Sequence, residues 1–202
     1  MDILWFIIFF LAAFWLGACP FALWIGNALL NKDIRGYGDH NPGAANVFKA
    51  GSIKWGFLAV FVEMAKGVPF VILAQIMAMT EPEMYFIGIC AILGHAFSPF
   101  LKFHGGKASA VTGGVLLAIP KRELFVIVFI VMIIAFFLLD GDGWRVVLGT
   151  IGGLLFAILA NMGMWPCLFM ACVVIIIAIK NLEALKKMPR AKEKIYIGFG
   201  QK

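Results

Sequence analysis

Long apolar runs separated by short, glycine-rich polar stretches set the pattern of this 202-residue chain. A bilayer core asks for about 20 apolar residues per helix. The runs over residues 3–30, 55–79, 84–101, 108–119, 124–139, 146–161 and 165–179 therefore predict about seven membrane-crossing helices. The fourth run is too short for a full crossing. It predicts a half-helix, or a helix that begins deep in the membrane where its backbone lines a polar cavity. There is no internal repeat or low-complexity tract. The pattern thus predicts an all-α polytopic membrane protein, with one transmembrane domain over residues 1–187 and a basic tail over residues 188–202 that is drawn to anionic lipid.

Composition supports the same class. Hydrophobic residues make up 63% of the chain, charged residues 14%, and the mean hydropathy is +0.98. A soluble domain of this size could not bury so much apolar surface. The formal net charge of +6 is no nucleic-acid signature, because the basic residues are segregated along the chain. Lys32, Arg35, Lys49 and Lys54 follow the first run, Lys102 and Lys107 the third, and Arg145 the fifth. Lys180, Lys186, Lys187, Arg190, Lys192, Lys194 and Lys202 follow the last, whereas the opposite loops hold Lys121 and Arg122. By the positive-inside rule the N-terminus lies outside and the C-terminus in the cytoplasm. Both glycine-rich polar stretches then share the cytoplasmic face. The first apolar run, preceded by Asp2, reads as a span rather than a cleavable leader. Cys19, Cys90, Cys167 and Cys172 sit in apolar runs and are expected to be small buried hydrophobes.

The candidate chemistry lies in the polar stretches. Residues 94–107 end in Gly105-Gly106-Lys107, which joins bare backbone N–H groups to a cation and suits an anionic head group, phosphate above all. Residues 33–51 add Arg35, Asp39, Asn41, Asn46 and Lys49 among glycines. This stretch is either the other half of that site or an ordinary turn-rich loop. Glu63 and Lys66 share a helix face within the second run, either as an ion pair locking helices or as cavity-facing charges. His95 stands within the third run, more in keeping with a hydrogen-bonded structural role than with a ligand. His40, His95 and His104 are too scattered for a metal site. The spacing before Lys107 is not that of a P-loop, and there is no Gly-x-Ser-x-Gly elbow. No protein nucleophile or base is expected, nor a cofactor. An enzyme built this way would work by positioning and charge stabilisation.

Together these pieces resemble the bacterial acyl-phosphate:glycerol-3-phosphate acyltransferases of the PlsY type. The family's Gly-Ser-Gly-Asn-x-Gly-Ala-Thr-Asn-Val is matched by Gly38-Asp39-His40-Asn41-Pro42-Gly43-Ala44-Ala45-Asn46-Val47, then Lys49 and Gly51. Its acidic-x-x-Lys-Gly is matched by Glu63 to Gly67. Its Gly-His-x-aromatic-Pro and Phe-x-Gly-Gly-Lys are matched by Gly94 to Pro99 and Phe103 to Lys107. The departures are Asp39-His40 for Ser-Gly, Ala45 for Thr, Ala108 for the Gly after the lysine, and a third motif reduced to Asn181, Leu182 and Leu185, with Ala178 and Ala184 at its His and second Arg. The resemblance implies a bacterial inner-membrane enzyme that moves a fatty acyl group from acyl phosphate to glycerol 3-phosphate, giving lysophosphatidic acid at a site facing the cytoplasm. It implies phosphate binding by Asn41, Asn46, Lys49, Gly105, Gly106 and Lys107. Asn46 and Asn181 would position substrates, with Arg35, Asp39, Glu63, Lys66 and His95 in support. Membrane lipids surround it, and protein partners are unspecified. Asp39 sets a carboxylate where the family binds phosphate; it would either accept a hydroxyl's hydrogen bond or pair with Arg35. The departures leave two alternatives open: the same fold with another donor or acceptor, and a non-catalytic membrane subunit or lipid-binding partner.

Overall fold

A computed structural model describes residues 3–191. Lys192, Lys194 and Lys202 of the expected tail lie outside the described residues. Among the described residues eleven α-helices run in order: α1 Ile3–Ala18, α2 Phe21–Leu30, α3 Ala44–Lys49, α4 Ile53–Ala65, α5 Pro69–Ile76, α6 Glu81–Ala96, α7 Ser109–Ala118, α8 Glu123–Leu138, α9 Asp142–Leu159, α10 Met164–Lys180 and α11 Leu182–Leu185. The segments Ile3–Leu30, Ile53–Ile76, Glu81–Leu101 and Asp142–Leu159 are long and apolar enough to cross a membrane, while α7, α8 and α10 are shorter apolar helices. At ten residues, α7 rises only about 15 Å, half a bilayer core.

Two of the predicted spans are broken. Between α1 and α2 the chain breaks at Cys19-Pro20, where Pro20 has no N–H to continue the helical ladder. Between α4 and α5 it breaks at Lys66-Gly67-Val68, and Pro69 opens α5 with its fixed φ. The sixth run starts earlier than expected: Arg145 is in the first turn of α9, not in a loop. Its guanidinium caps the preceding bend by donating to the Leu139 carbonyl (2.8 Å) and to Asp142 (2.7 Å). The fold is also not purely helical. Leu139–Asp140 and Arg190–Ala191 form a two-residue antiparallel ladder.

The core lies where α6 packs against α1, α5, α7 and α10. Small residues permit this. Gly94 lies directly on the Phe14 carbonyl and Gly17 on that of Ala91, so α1 and α6 meet backbone to backbone. Lipid-embedded helices gain from such close van der Waals contact because burying apolar side chains away from lipid gains little. The outward faces carry Trp15, Phe57, Phe61, Phe129, Phe136 and Phe137, all exposed, as a surface bathed in acyl chains requires. The cysteine expectation holds only in part. Cys90 is buried and Cys19 and Cys167 half-buried, but Cys172 is exposed on α10, where the apolar surroundings are lipid rather than protein.

Replacing Gly94 by Leu forces α1 and α6 apart. The expected cost is about 1–3 kcal/mol, read as a lower thermal midpoint of the detergent-solubilised protein. A surface change such as Ile133→Leu serves as the unaffected control.

Candidate functional site

The break between α1 and α2 creates a polar demand inside an apolar protein. The carbonyl of Ala18 and the N–H of Ala22 lack backbone partners, the Cys19 carbonyl accepts only the Phe21 N–H two residues on (3.0 Å), and such groups need partners away from water. Three side chains meet the demand. Ser98 Oγ donates to the Ala18 carbonyl (2.6 Å), Lys66 Nζ donates to the Cys19 carbonyl (2.8 Å), and Glu63 Oε1 accepts from the Ala22 N–H (2.9 Å). Glu63 Oε2 in turn lies 2.6 Å from Lys66 Nζ and 3.1 Å from His95 Nδ1. Glu63 and Lys66 are 1% and 3% exposed. The structure thus realises the ion-pair reading of Glu63 and Lys66, and the pair ties together α2, α4 and α6.

His95 passes this knot on to the Gly-Gly-Lys loop. Its carbonyl accepts the Gly106 N–H (3.1 Å). Gly105 lies against that carbonyl and Gly106 against His95 Nε2, so close that a side chain on either glycine would collide with it. The two glycines are therefore buried struts. The expectation that both offer free N–H groups to a phosphate fails at Gly106, whose N–H is committed to His95. Lys107 follows at the surface, and Ala108 enters α7 at φ +62°. His40 has φ +61°. Both stand where the sequence comparison had glycine, and both keep the left-handed conformation that a glycine takes without strain.

Lys107 meets the first polar stretch. Its Nζ lies 2.5 Å from Asp39 Oδ2. Asp39 Oδ1 accepts from Asn46 Nδ2 (2.9 Å) and from the Asn41 N–H (3.3 Å), and Asn46 Nδ2 also donates to the Asn41 carbonyl (2.7 Å). Gly38, at φ +60°, makes room for Asn46 Oδ1 and the Lys49 stem. Burial by itself would raise the Asp39 carboxyl. The hydrogen bond and charge of Lys107, helped by Asn46 and the Asn41 N–H, outweigh it and hold the group below the usual carboxylate value. The alternative pairing of Asp39 with Arg35 does not occur. Arg35 makes a two-pronged bond to Asp33 (2.7–3.1 Å), two residues away on its own turn.

A cavity of about 440 Å³ starts at this cluster. Its mouth holds Asp39, Asn41, Asn46, Lys107 and Asn181. Its inner part runs between α4, α7, α8 and α9 over Met64, Leu116, Phe125, Phe129, Met132 and Val146. Asp39, Asn41, Lys107 and Asn181 also border a wider vestibule of about 1180 Å³, shared with Trp144, Lys180 and Lys187. Neither space is lined by Lys49 or Arg35. Lys49 sits on the far side of Asn46, against Gly38, and Arg35 points to Asp33; both were expected at the site. Asn46 Oδ1 and Asn181 Oδ1 are buried without a hydrogen-bond partner. Their amide orientations are set by their own bonds, Asn46 Nδ2 to two oxygens and Asn181 Nδ2 to the Ile177 carbonyl (2.8 Å). Each leaves a buried acceptor without a donor. Thr112 Oγ1, also unpartnered, lines the cavity further in. The sequence reading missed Thr112, Ser109, Trp144 and Lys180. Lys180 could have been suspected, since it directly precedes Asn181; the others carry no local signal.

Residues 7–190 match the family model described as glycerol-3-phosphate acyltransferase. The chain belongs to the glycerol-3-phosphate acyltransferase family. Curated relatives named glycerol-3-phosphate acyltransferase from Streptococcus pyogenes, serotype M5 (strain Manfredo) and serotype M49 (strain NZ131), are each 35% identical over 130 residues, or 64% of this chain. The match spans 61% of those relatives' length. A crystal structure of PlsY (YgiH), an integral membrane glycerol 3-phosphate acyltransferase, in its glycerol 3-phosphate form superimposes with a TM-score of 0.81 at 25% identity and covers 90% of both chains. The lysophosphatidic acid form of PlsY shares the fold with a TM-score of 0.79 at 24% identity, again over 90% of both chains.

Glu63→Gln leaves the buried Lys66 ammonium without its counter-charge and should cost about 3–5 kcal/mol, while the double change Glu63→Gln with Lys66→Met recovers much of it; thermal midpoints in detergent measure both. The Asp39–Lys107 contact, resting on a lowered carboxyl, is complete above about pH 4 and is lost as pH falls through the lower folded value. Asp39→Asn should remove that acid-side loss from the pH profile of thermal stability.

Proposed function

We infer that the chain transfers a fatty acyl group from acyl phosphate to glycerol 3-phosphate, releasing inorganic phosphate and forming lysophosphatidic acid. The observation that carries this reading is a cavity that joins a mouth lined by Lys107, Asp39 and asparagine amides to an apolar groove. An acyl donor needs both parts: a groove for its chain and a polar end for its carbonyl and phosphate. The acceptor meets Lys107 with its phosphate. Its hydroxyls have the donors that Asn46 Oδ1 and Asn181 Oδ1 lack. That complementarity favours a phosphorylated polyol over a bare anion.

The chemistry asks little of the protein. Acyl phosphate is an activated mixed anhydride. The acceptor oxygen attacks its carbonyl carbon, the carbonyl–phosphate bond breaks, and the departing phosphate takes the hydroxyl proton. His95 suits no competing role as base, because its Nδ1 faces Glu63 and Gly106 covers its Nε2. Lys107 and the amides then act by orientation and by balancing charge that grows on phosphate. In membrane terms, seven apolar segments with the N-terminus outside and the C-terminus inside bring the mouth to the cytoplasmic face of a bacterial inner membrane. The bias of Lys32, Lys49, Lys102, Lys107, Lys186 and Lys187 over Lys121 and Arg122 supports that orientation.

Detergent-purified protein given palmitoyl phosphate should release phosphate and form lysophosphatidic acid only when glycerol 3-phosphate is present. Lys107→Ala should lower kcat/KM by about 100-fold, and Asn181→Ala by about tenfold. Mass spectrometry of the lipid product decides. Folded, monodisperse protein with no acceptor-dependent product would overturn the reading.

A further inference from the structure

Resting on the reading of Lys107 as the phosphate-binding cation, we propose that Asp39 is a tethered competitor for the acceptor phosphate and so sets the affinity of the site for its anionic substrate. The polar donors gathered at the mouth already converge on one carboxylate. Asp39 Oδ2 takes the Lys107 ammonium at 2.5 Å, and Asp39 Oδ1 takes the Asn46 amide at 2.9 Å and the Asn41 N–H at 3.3 Å. An ammonium, an amide N–H and a backbone N–H are the set of donors a phosphate oxygen seeks. The carboxylate stands in its place.

The charge balance at the mouth follows. Lys107 is the cation shared by the cavity and the vestibule, and Asp39 cancels it. Arg35 is committed to Asp33, and Lys49 does not line the cavity. An incoming phosphate cannot add to this arrangement, because it would bring like charge against Asp39. It must displace the carboxylate from Lys107. The loop allows that: Asp39 is flanked by Gly38 at φ +60° and His40 at φ +61°, and its side chain is 37% exposed, so water receives the displaced carboxylate. When it leaves, Asn46 Nδ2 keeps its bond to the Asn41 carbonyl (2.7 Å), so the amide stays in place for the ligand. The acceptor's hydroxyl contacts to Asn46 Oδ1 and Asn181 Oδ1 then have to offset this cost. A ligand that offers charge alone is held weakly.

Calorimetric binding of glycerol 3-phosphate and of inorganic phosphate, without any acyl donor, tests this in the full-length protein. Asp39→Asn and Asp39→Ser should tighten both ligands by a similar factor, about three- to tenfold. In turnover they should lower the KM for glycerol 3-phosphate more than they change kcat. In a Lys107→Met background the same substitutions should give no tightening, because nothing remains to compete for. Unchanged or weaker binding in both Asp39 variants, with thermal midpoints showing folded protein, overturns the proposal; so does equal tightening in the Lys107→Met background, which would mark a long-range charge effect. Tightened binding without acyl transfer in any variant would sustain the role of Asp39 and sink the proposed reaction instead.

Discussion

One carboxylate holds the architecture together. A helix that breaks inside an apolar protein leaves backbone groups that no water can satisfy, and the break at Cys19-Pro20 is such a place. Glu63 reaches it with one oxygen through the Ala22 N–H and, with the other, recruits Lys66 for the Cys19 carbonyl and His95 for the next layer. An ion pair so deeply buried is poor value against apolar packing of the same volume. Here it also satisfies an N–H that apolar side chains would leave bare, and gives the Cys19 carbonyl a second donor beside the Phe21 N–H. His95 then carries the loop that presents Lys107. The position of the surface cation thus depends on Glu63, which, like His95, also lines the cavity.

The loop itself shows how a backbone shape outlasts the residues that first suggest it. Ala108 and His40 keep left-handed conformations at positions where glycine is the unstrained choice. Neither is β-branched, and His40 steadies its turn through a ring contact with the Arg35 carbonyl (2.8 Å). The fold tolerates these substitutions because the tight contacts fall on Gly105, Gly106 and Gly38, where a side chain would strike His95, Asn46 or Lys49.

The apolar segments were legible from hydropathy because span length is a bilayer property and needs no tertiary information. The breaks within 3–30 and 55–79 were not, since the apolar run continues straight through Pro20 and Pro69 and hydropathy ignores the missing N–H. The Glu63–Lys66 pair was legible from spacing on one helix. Its link to His95 was not, because it joins α4 to α6 across the bundle. The charged residues of 33–51 show the same limit. Loop residues carry no periodicity, so nothing in the sequence turned Arg35 toward Asp33 and Asp39 toward Lys107. Asn46, Lys107 and Asn181 line the cavity, and Lys49 does not.

The apolar groove between α4, α7, α8 and α9 has a kinetic meaning of its own. A chain lying there remains in a solvent like the bilayer interior, while the head beside Lys107 faces water. Under the proposed acyl transfer the two reactants would come from phases with different measures of abundance, one counted per unit volume and the other per unit area. Diluting such a lipid donor with inert lipid would slow its encounter with the groove even when its amount in the tube is constant, whereas diluting the suspension with buffer would leave that encounter untouched.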